Sequence, residues 1–291
     1  MKKKIAIIGS SPIMLIIAKV LLKNNLVTIF EKNKSLGGAW KIKKIRDLFT
    51  INPHSNVIVP MKKKDEFLFL KINKLLSNLK VKIKKNNLRY EQNQKIDLSK
   101  IYQYDFSSFY KLFKNNNNII NKEVKIIKLE NNKVIINGHI FDRVYLPYFT
   151  SLNSIIVKKK NYKIPYKIIK SQHITIISKS FFLDDIFYIE NFSKFFDRVQ
   201  VLSKNNLRIF IARVSKLYKN KKLTFLINKL PFLKKKDLIY SKKNSYINYY
   251  RDIKQIKKIK KIKNKNMILI DTTNLFESIK KYILFEGLQD V

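Results

Sequence analysis

Short apolar runs separated by polar turns set the pattern of the first thirty residues. Ile5-Ala6-Ile7-Ile8 is a continuous apolar run that stops at Gly9, as expected of a parallel strand buried on both faces. Pro12 suits the first helical position, with Ser10 or Ser11 as cap. Ile13, Ile16, Ile17, Val20 and Leu21 then recur at helical spacing as far as Asn24-Asn25. Leu26 to Phe30 is a second apolar run, closed by Glu31. The pattern predicts strand, tight turn, helix, strand, acid.

Further along, Lys62 to Leu79 predicts a helix with Phe67, Leu70, Leu75 and Leu79 among its apolar positions, and Tyr102 to Phe113 a short aromatic-rich one. Val124–Leu129, Lys133–Ile136 and His139–Phe141 predict antiparallel strands. They are joined at Glu130-Asn131-Asn132 and at Asn137-Gly138, a strong two-residue turn signal. Asp142 to Pro147 returns as a more buried strand. Ile174–Ile177, Arg198–Leu202, Leu207–Ile211 and Leu223–Ile227 predict the strands of a second region. Ile256 to Lys263 alternates isoleucine with lysine and reads as an exposed cationic helix or linker. Met267–Ile270 predicts a buried strand, followed by Asp271 and by a helix from Asn274 to Tyr282.

Charge narrows the picture less than its size suggests. The chain has 291 residues, with 62 Lys plus Arg against 20 Asp plus Glu, a net +42. Lysine, asparagine and isoleucine are abundant throughout, including Asn115 to Asn118, so a general compositional drift accounts for most of that excess. Such a surface attracts anions through its long-range field. Nucleic-acid binding also needs stacking platforms or a recognisable module, and neither accompanies the lysines, so no nucleic-acid partner is expected. With 45% hydrophobic residues there is ample material for a core. The absence of cysteine excludes disulfides and thiolate chemistry, and with three histidines no metal centre is expected. Ser10, Ser11 and Pro12 interrupt the apolar run after Met1–Lys4, so it is not read as a secretory signal. No apolar stretch has the length of a membrane span, and a cytoplasmic location is expected.

The amino-terminal unit has a chemistry. A tight turn at Gly9 aims the free N–H groups and positive dipole end of the following helix at a ligand, which suits a pyrophosphate. Glu31, 22 residues after Gly9, sits where a carboxylate accepts both hydroxyls of an adenosine ribose. An acid there disfavours a 2′-phosphate, so FAD or NAD is expected ahead of NADP.

Three segments, Ile7-Ile8-Gly9-Ser10-Ser11-Pro12, Val27-Thr28-Ile29-Phe30-Glu31-Lys32 and Leu36-Gly37-Gly38-Ala39-Trp40, resemble the FAD-binding oxidoreductases of the amine-oxidase type. That superfamily includes UDP-galactopyranose mutase-like and protoporphyrinogen-oxidase-like proteins. The resemblance implies an α/β fold: a Rossmann-like FAD-binding domain with an antiparallel crossover, and a second α+β substrate region. The FAD domain would be discontinuous, built from 1–60, 118–160 and 262–291, with 61–117 and 161–261 forming the substrate or cap region. FAD is then expected ahead of NAD. Gly9, Ser10, Ser11, Glu31, Lys32, Gly37, Gly38 and Trp40 would line its site, with Val124 meeting the adenine through its backbone and Asp271 near the ribityl phosphate. His54 would lie on a loop beside the flavin. Tyr188, Arg198, Arg208 and Arg213 are the candidates for a small, anionic or nucleotide-linked substrate.

Three positions depart from that fingerprint: Ser11 and Met14 stand where its second and third glycines fall, and Ile270 where a glycine precedes the acid. Met14 is expected to push the helix off the strand or to find another route for its side chain. The implied activity is FAD-dependent oxidation of an unidentified small or nucleotide-linked substrate, with no catalytic residue assigned. The alternatives are a flavin-dependent sugar-nucleotide mutase and a catalytically silent dinucleotide-fold binding protein.

Overall fold

The computed structural model describes residues 2–37, 43–45, 49–51, 57–60, 66–92, 95–113, 118–179, 187–204, 207–230, 233, 235–262, 264–272 and 275–285. Strands and helices are numbered along the chain. The amino-terminal run lies at the centre of a five-stranded parallel sheet. Its order is β20 (Met267–Ile270), β12 (Arg143–Pro147), β1 (Lys4–Ile8), β2 (Leu26–Phe30) and β8 (Ile119–Ile120). Because side chains alternate across a strand, the continuous apolar runs serve two cores. Ile5, Ile7, Val27, Ile29 and Tyr145 face a helical layer made of α1 (Pro12–Leu21), α2 (Glu66–Asn78), α3 (Ser107–Lys111) and α6 (Leu275–Ile279). Ala6, Ile8, Phe30, Val144 and Leu146 face a second sheet.

That second sheet has the order β11 (His139–Phe141), β10 (Lys133–Ile136), β9 (Ile126–Glu130), β13 (Ser154–Val157) and β14 (Lys160–Lys163). The predicted hairpins are there. Asn137 and Gly138 both take positive φ, 51° and 86°, as a two-residue turn that matches strand twist requires. The result is three layers: helices, parallel sheet, mixed sheet.

The remaining strands form an eight-stranded sheet in the order β19 (Leu238–Tyr250), β15 (Lys167–Ser178), β18 (Leu207–Val214), β17 (Phe196–Lys204), β16 (Phe187–Ser193), β6 (Lys82–Gln92), β7 (Lys95–Asp105) and β5 (Val57–Pro60). A small hairpin, β3 (Lys43–Ile45) with β4 (Phe49–Ile51), completes the strands. α4 (Leu223–Ile227) lies against the eight-stranded sheet, and α5 (Ile253–Lys261) follows it in the chain.

Two expectations change. Leu223–Ile227 is helical, because Leu223, Leu226, Ile227 and Leu230 share one face at helical spacing and pack on the sheet. Tyr102–Phe113 is split: the chain is a strand as far as Asp105, and only Phe106, Phe109, Tyr110 and Phe113 have the helical period. α2 is described from Glu66, within the expected 62–79 span. The Ile256–Lys263 run falls on α5, which the reciprocal Asp252–Gln255 capping box starts and which buries only Ile259. Asn274 lies outside the described residues.

Candidate functional site

All five parallel strands point the same way, so their carboxy-terminal ends share one edge. Gly9 leaves β1 there, Glu31 leaves β2, the 121–125 segment with Val124 leaves β8, Tyr148 leaves β12 and Asp271 leaves β20. The chain runs from β1 to β2 on one side and returns through β12 on the other. Strand order therefore reverses between β1 and β12, the switch point where open α/β sheets take ligands.

The turn at this point leaves hydrogen-bond donors without partners. Gly9 has φ +82°, and a Cβ added there would meet nothing within 4 Å. Its N–H donates to the Phe30 carbonyl at 2.7 Å, which fixes the turn against β2. Ser11 is the N-cap of α1 in extended conformation, yet its side chain caps nothing, and its Oγ is buried without a hydrogen bond. Pro12 has no N–H, and the first intrahelical bond runs from Leu15 to Ser11 at 3.0 Å. The amides of Ser11, Ile13 and Met14 are thus left without an intrahelical acceptor. No acidic residue occupies the first turn. An uncapped helix start with an orphaned hydroxyl beside it, above open space at a glycine, fits a pyrophosphate.

Met14 does not stand in the way by exposure to the crevice. It is fully buried in the core between α1 and the helices around it. The long side chain takes the second of its two expected routes: it is absorbed into packing, where each fully buried aliphatic residue contributes roughly 1.5–3 kcal/mol.

Ser10 joins three of the predicted residues into one network. Its Oγ donates to Glu31 Oε2 at 2.6 Å and accepts from the Gly37 N–H at 2.9 Å, while its own N–H donates to the same Glu31 oxygen at 3.0 Å. Gly37, at φ +100°, also approaches the Ser10 carbonyl at 3.1 Å. The other Glu31 oxygen accepts from the backbone and side-chain nitrogens of Asn33, at 2.9 and 2.8 Å. Glu31 is 3% exposed, and its four acceptor positions are all in use. To accept ribose hydroxyls it must exchange some of these bonds.

The rest of the predicted set divides. Val124 is buried and packs through its side chain in the core beneath the second sheet. The N–H of Asp271 donates to the Tyr282 hydroxyl at 3.1 Å, and its carbonyl accepts from Ser278 Oγ. Lys32 reaches the Tyr249 hydroxyl. Gly38, Trp40 and His54 lie outside the described residues.

Three of the four candidate substrate residues, Tyr188, Arg198 and Arg213, fall on neighbouring register positions of β16, β17 and β18, and Arg208 lies apart from them. Tyr188 is opposite Gln200 on β16, Arg198 is opposite Arg213, and Arg213 Nε pairs with Asp197 at 3.3 Å. Arg208 sits five positions from Arg213 on the same strand, about 17 Å along it.

One residue that the sequence pattern did not single out is Arg251. It is 1% exposed, and its guanidinium donates to the carbonyls of Tyr148 at 2.5 Å and Leu152 at 2.6 Å. Burial lowers it to about 10, against the opposing influence of Tyr166. It directly follows the Tyr246–Tyr250 segment at the end of β19, and a lone arginine there carries no periodic signal.

An opening of about 810 Å³ lies at the opposite edge of the parallel sheet. Lys2, Lys3, Lys4, Lys133, Arg143 and Lys265 surround it, with Asp142 as the one carboxylate. Asp142 accepts from the Lys4 N–H at 2.7 Å and from Lys133 Nζ at 2.6 Å, and the Lys133 hydrogen bond holds its carboxyl below the usual range. Among the described residues no helix is long and apolar enough to cross a membrane.

No family model and no curated protein matches the chain. Solved structures do match in shape. A CLA-producing fatty acid isomerase from P. acnes aligns with a TM-score of 0.59 at 11% identity, covering 97% of this chain and 98% of that one. A putrescine oxidase bound to putrescine aligns with a TM-score of 0.56 at 11% identity, covering 93% of each chain. At that identity the likeness is one of architecture, and this chain has the fold shared by those two enzymes.

Proposed function

We propose that the chain is an FAD-binding, oxidoreductase-like protein acting on a small or nucleotide-linked substrate. The observation that carries this is the uncapped start of α1 at the switch point, with Gly9 open above it and Ser11 Oγ unpartnered. The Ser11, Ile13 and Met14 amides would hold the pyrophosphate, Ser11 Oγ would add a neutral donor, and the Gly37 loop, tied down by Ser10, would border it. Glu31 would reach the ribose after releasing part of its Asn33 or Ser10 contact. Bound FAD supplies hydride acceptance at its N5 atom. The protein's part is to fix the dinucleotide along the sheet edge and to exclude water. A putrescine oxidase and a fatty acid isomerase on the same fold agree with a small-molecule substrate.

Titration with FAD, followed by quenching of flavin fluorescence, tests this. One saturable site is expected, with affinity at least tenfold lower in Gly9→Val, whose side chain would enter the open space. Equal quenching in both proteins, or none in either, contradicts the reading.

One observation favours the silent dinucleotide-fold alternative: Glu31 is buried with every acceptor position in use. Under that reading the folded protein gives no quenching at saturating FAD.

A further inference from the structure

Arg251 is a buried guanidinium whose job the cofactor reading does not explain. Among the described residues no carboxylate lies within ion-pair distance, and its Nε has no hydrogen-bond partner. A buried charge without a counter-charge is costly, so its contacts must return something specific. Those contacts are two carbonyls of a single loop, Tyr148 and Leu152, reached by separate nitrogens of the fork, with the Tyr166 ring 5.6 Å from the guanidinium carbon. A planar fork with fixed donor directions can hold two carbonyls in one spacing; a lysine ammonium cannot match that geometry.

The position of that loop gives the contacts meaning. Residues 148–152 leave β12 at the switch-point edge, next to the Gly9 turn in the strand order β12-β1-β2. The residues before Arg251 reach both sides of the same edge. Tyr250 stacks on Phe149 of the loop at 6.0 Å, while Tyr249 receives the Lys32 ammonium, which leaves β2 just after Glu31. Lys32 also lies 4.0 Å from the Tyr249 ring centre, and Tyr166 meets that ring edge-on at 5.0 Å. Three consecutive residues at the end of β19 therefore touch the exits of both strands that flank β1.

We propose that Arg251 is a positioning residue for the cofactor crevice: it fixes the 148–152 loop, and with Tyr249 and Tyr250 it ties the eight-stranded sheet to both walls of the switch point. In naming a cofactor crevice this rests on the function proposed above. The tie itself rests only on the contacts.

Two variants and two readouts test it. Arg251→Met keeps an unbranched stem of about the length of the arginine stem and removes the fork; Arg251→Lys keeps charge and reaches at most one carbonyl. Hydrogen exchange of the apo protein is expected to be at least tenfold faster in Arg251→Met at the amides of 148–153. The α1 amides should be unchanged, and Arg251→Lys should restore part of the protection. FAD dissociation should quicken in the same order, about tenfold or more for Arg251→Met. Loop exchange and FAD release both at wild-type rates would overturn the proposal. So would exchange that quickens equally in the loop and in α1, the mark of general destabilisation. If the wild-type protein binds no FAD, the cofactor reading fails while the exchange contrast still decides the role of Arg251. Should Arg251→Met not fold, Arg251→Lys carries both comparisons against wild type.

Discussion

The two edges of the parallel sheet each carry a carboxylate beside a strand end, and they use it in opposite ways. Glu31 at the carboxy-terminal edge is buried, accepts four hydrogen bonds and holds the Gly9 turn, the Gly37 loop and Asn33 in one arrangement. Asp142 at the other edge also takes a backbone N–H, from Lys4, but shares its remaining bond with a half-exposed lysine among five further cations. Away from water a charged hydrogen bond is expensive to leave unmade, so the first network dictates backbone shape. In water the second is screened and decorates the surface. Five lysines and one arginine line the edge with little built structure, while the rest of the basic residues behind the +42 are spread along the chain, and the bonded network at the Gly9 turn is made mostly of uncharged groups. Net charge is thus a poor guide to where this molecule does its work.

The largest effect is expected at Glu31. Glu31→Gln turns one acceptor oxygen into a donor that faces N–H or O–H groups. A stability loss of about 2–3 kcal/mol is expected, measured by chemical denaturation of the apo protein. A loss below about 0.5 kcal/mol would mean that the buried network constrains nothing.

Asp142→Asn should cost less, within the range of about 0–1 kcal/mol for exposed pairs. Its folded pKa lies below the ordinary 3.8, so the stabilisation is present above that value and disappears as pH falls through the folded one. Wild type and variant should differ at pH 7 and converge in acid. A gap that persists or widens in acid would show that the carboxylate is not what stabilises this edge. Smallest of all is the effect of replacing Lys257, Lys258 and Lys261 together with alanine, leaving Lys260, whose ammonium lies over the Tyr148 ring of the crevice loop: FAD affinity should stay within about twofold. A loss above tenfold in the folded variant would put α5 in the binding machinery.

Much of the nucleotide unit was legible because its signals are local and redundant. The Ile5–Ile8 run, Gly9, Pro12 and the Leu26–Glu31 run each restrict the backbone within a few residues, and all five strand exits lie on one edge. The Asn137-Gly138 turn was legible for the same reason. What escaped depends on partners distant in sequence. Arg251 acts on carbonyls about a hundred residues away, and Ser10 gains its role only when Gly37 and Glu31 close on it. Leu223–Ile227 misleads because a five-residue segment with four apolar residues fits a strand or a helix, and packing of Leu226, Ile227 and Leu230 decides. Spacing left two routes open for Met14, and its burial in the helical core, which decides between them, depends on partners that spacing does not show.

In the proposed function a dinucleotide sits between the Gly9 turn and the Gly37 loop. Native mass spectrometry of freshly purified protein, paired with its visible spectrum after addition of FAD, tests it most directly. One non-covalent FAD per chain is expected, with flavin bands altered from those of free FAD. A folded protein that stays at its apo mass with FAD and with NAD, and leaves the flavin spectrum unchanged, would contradict it.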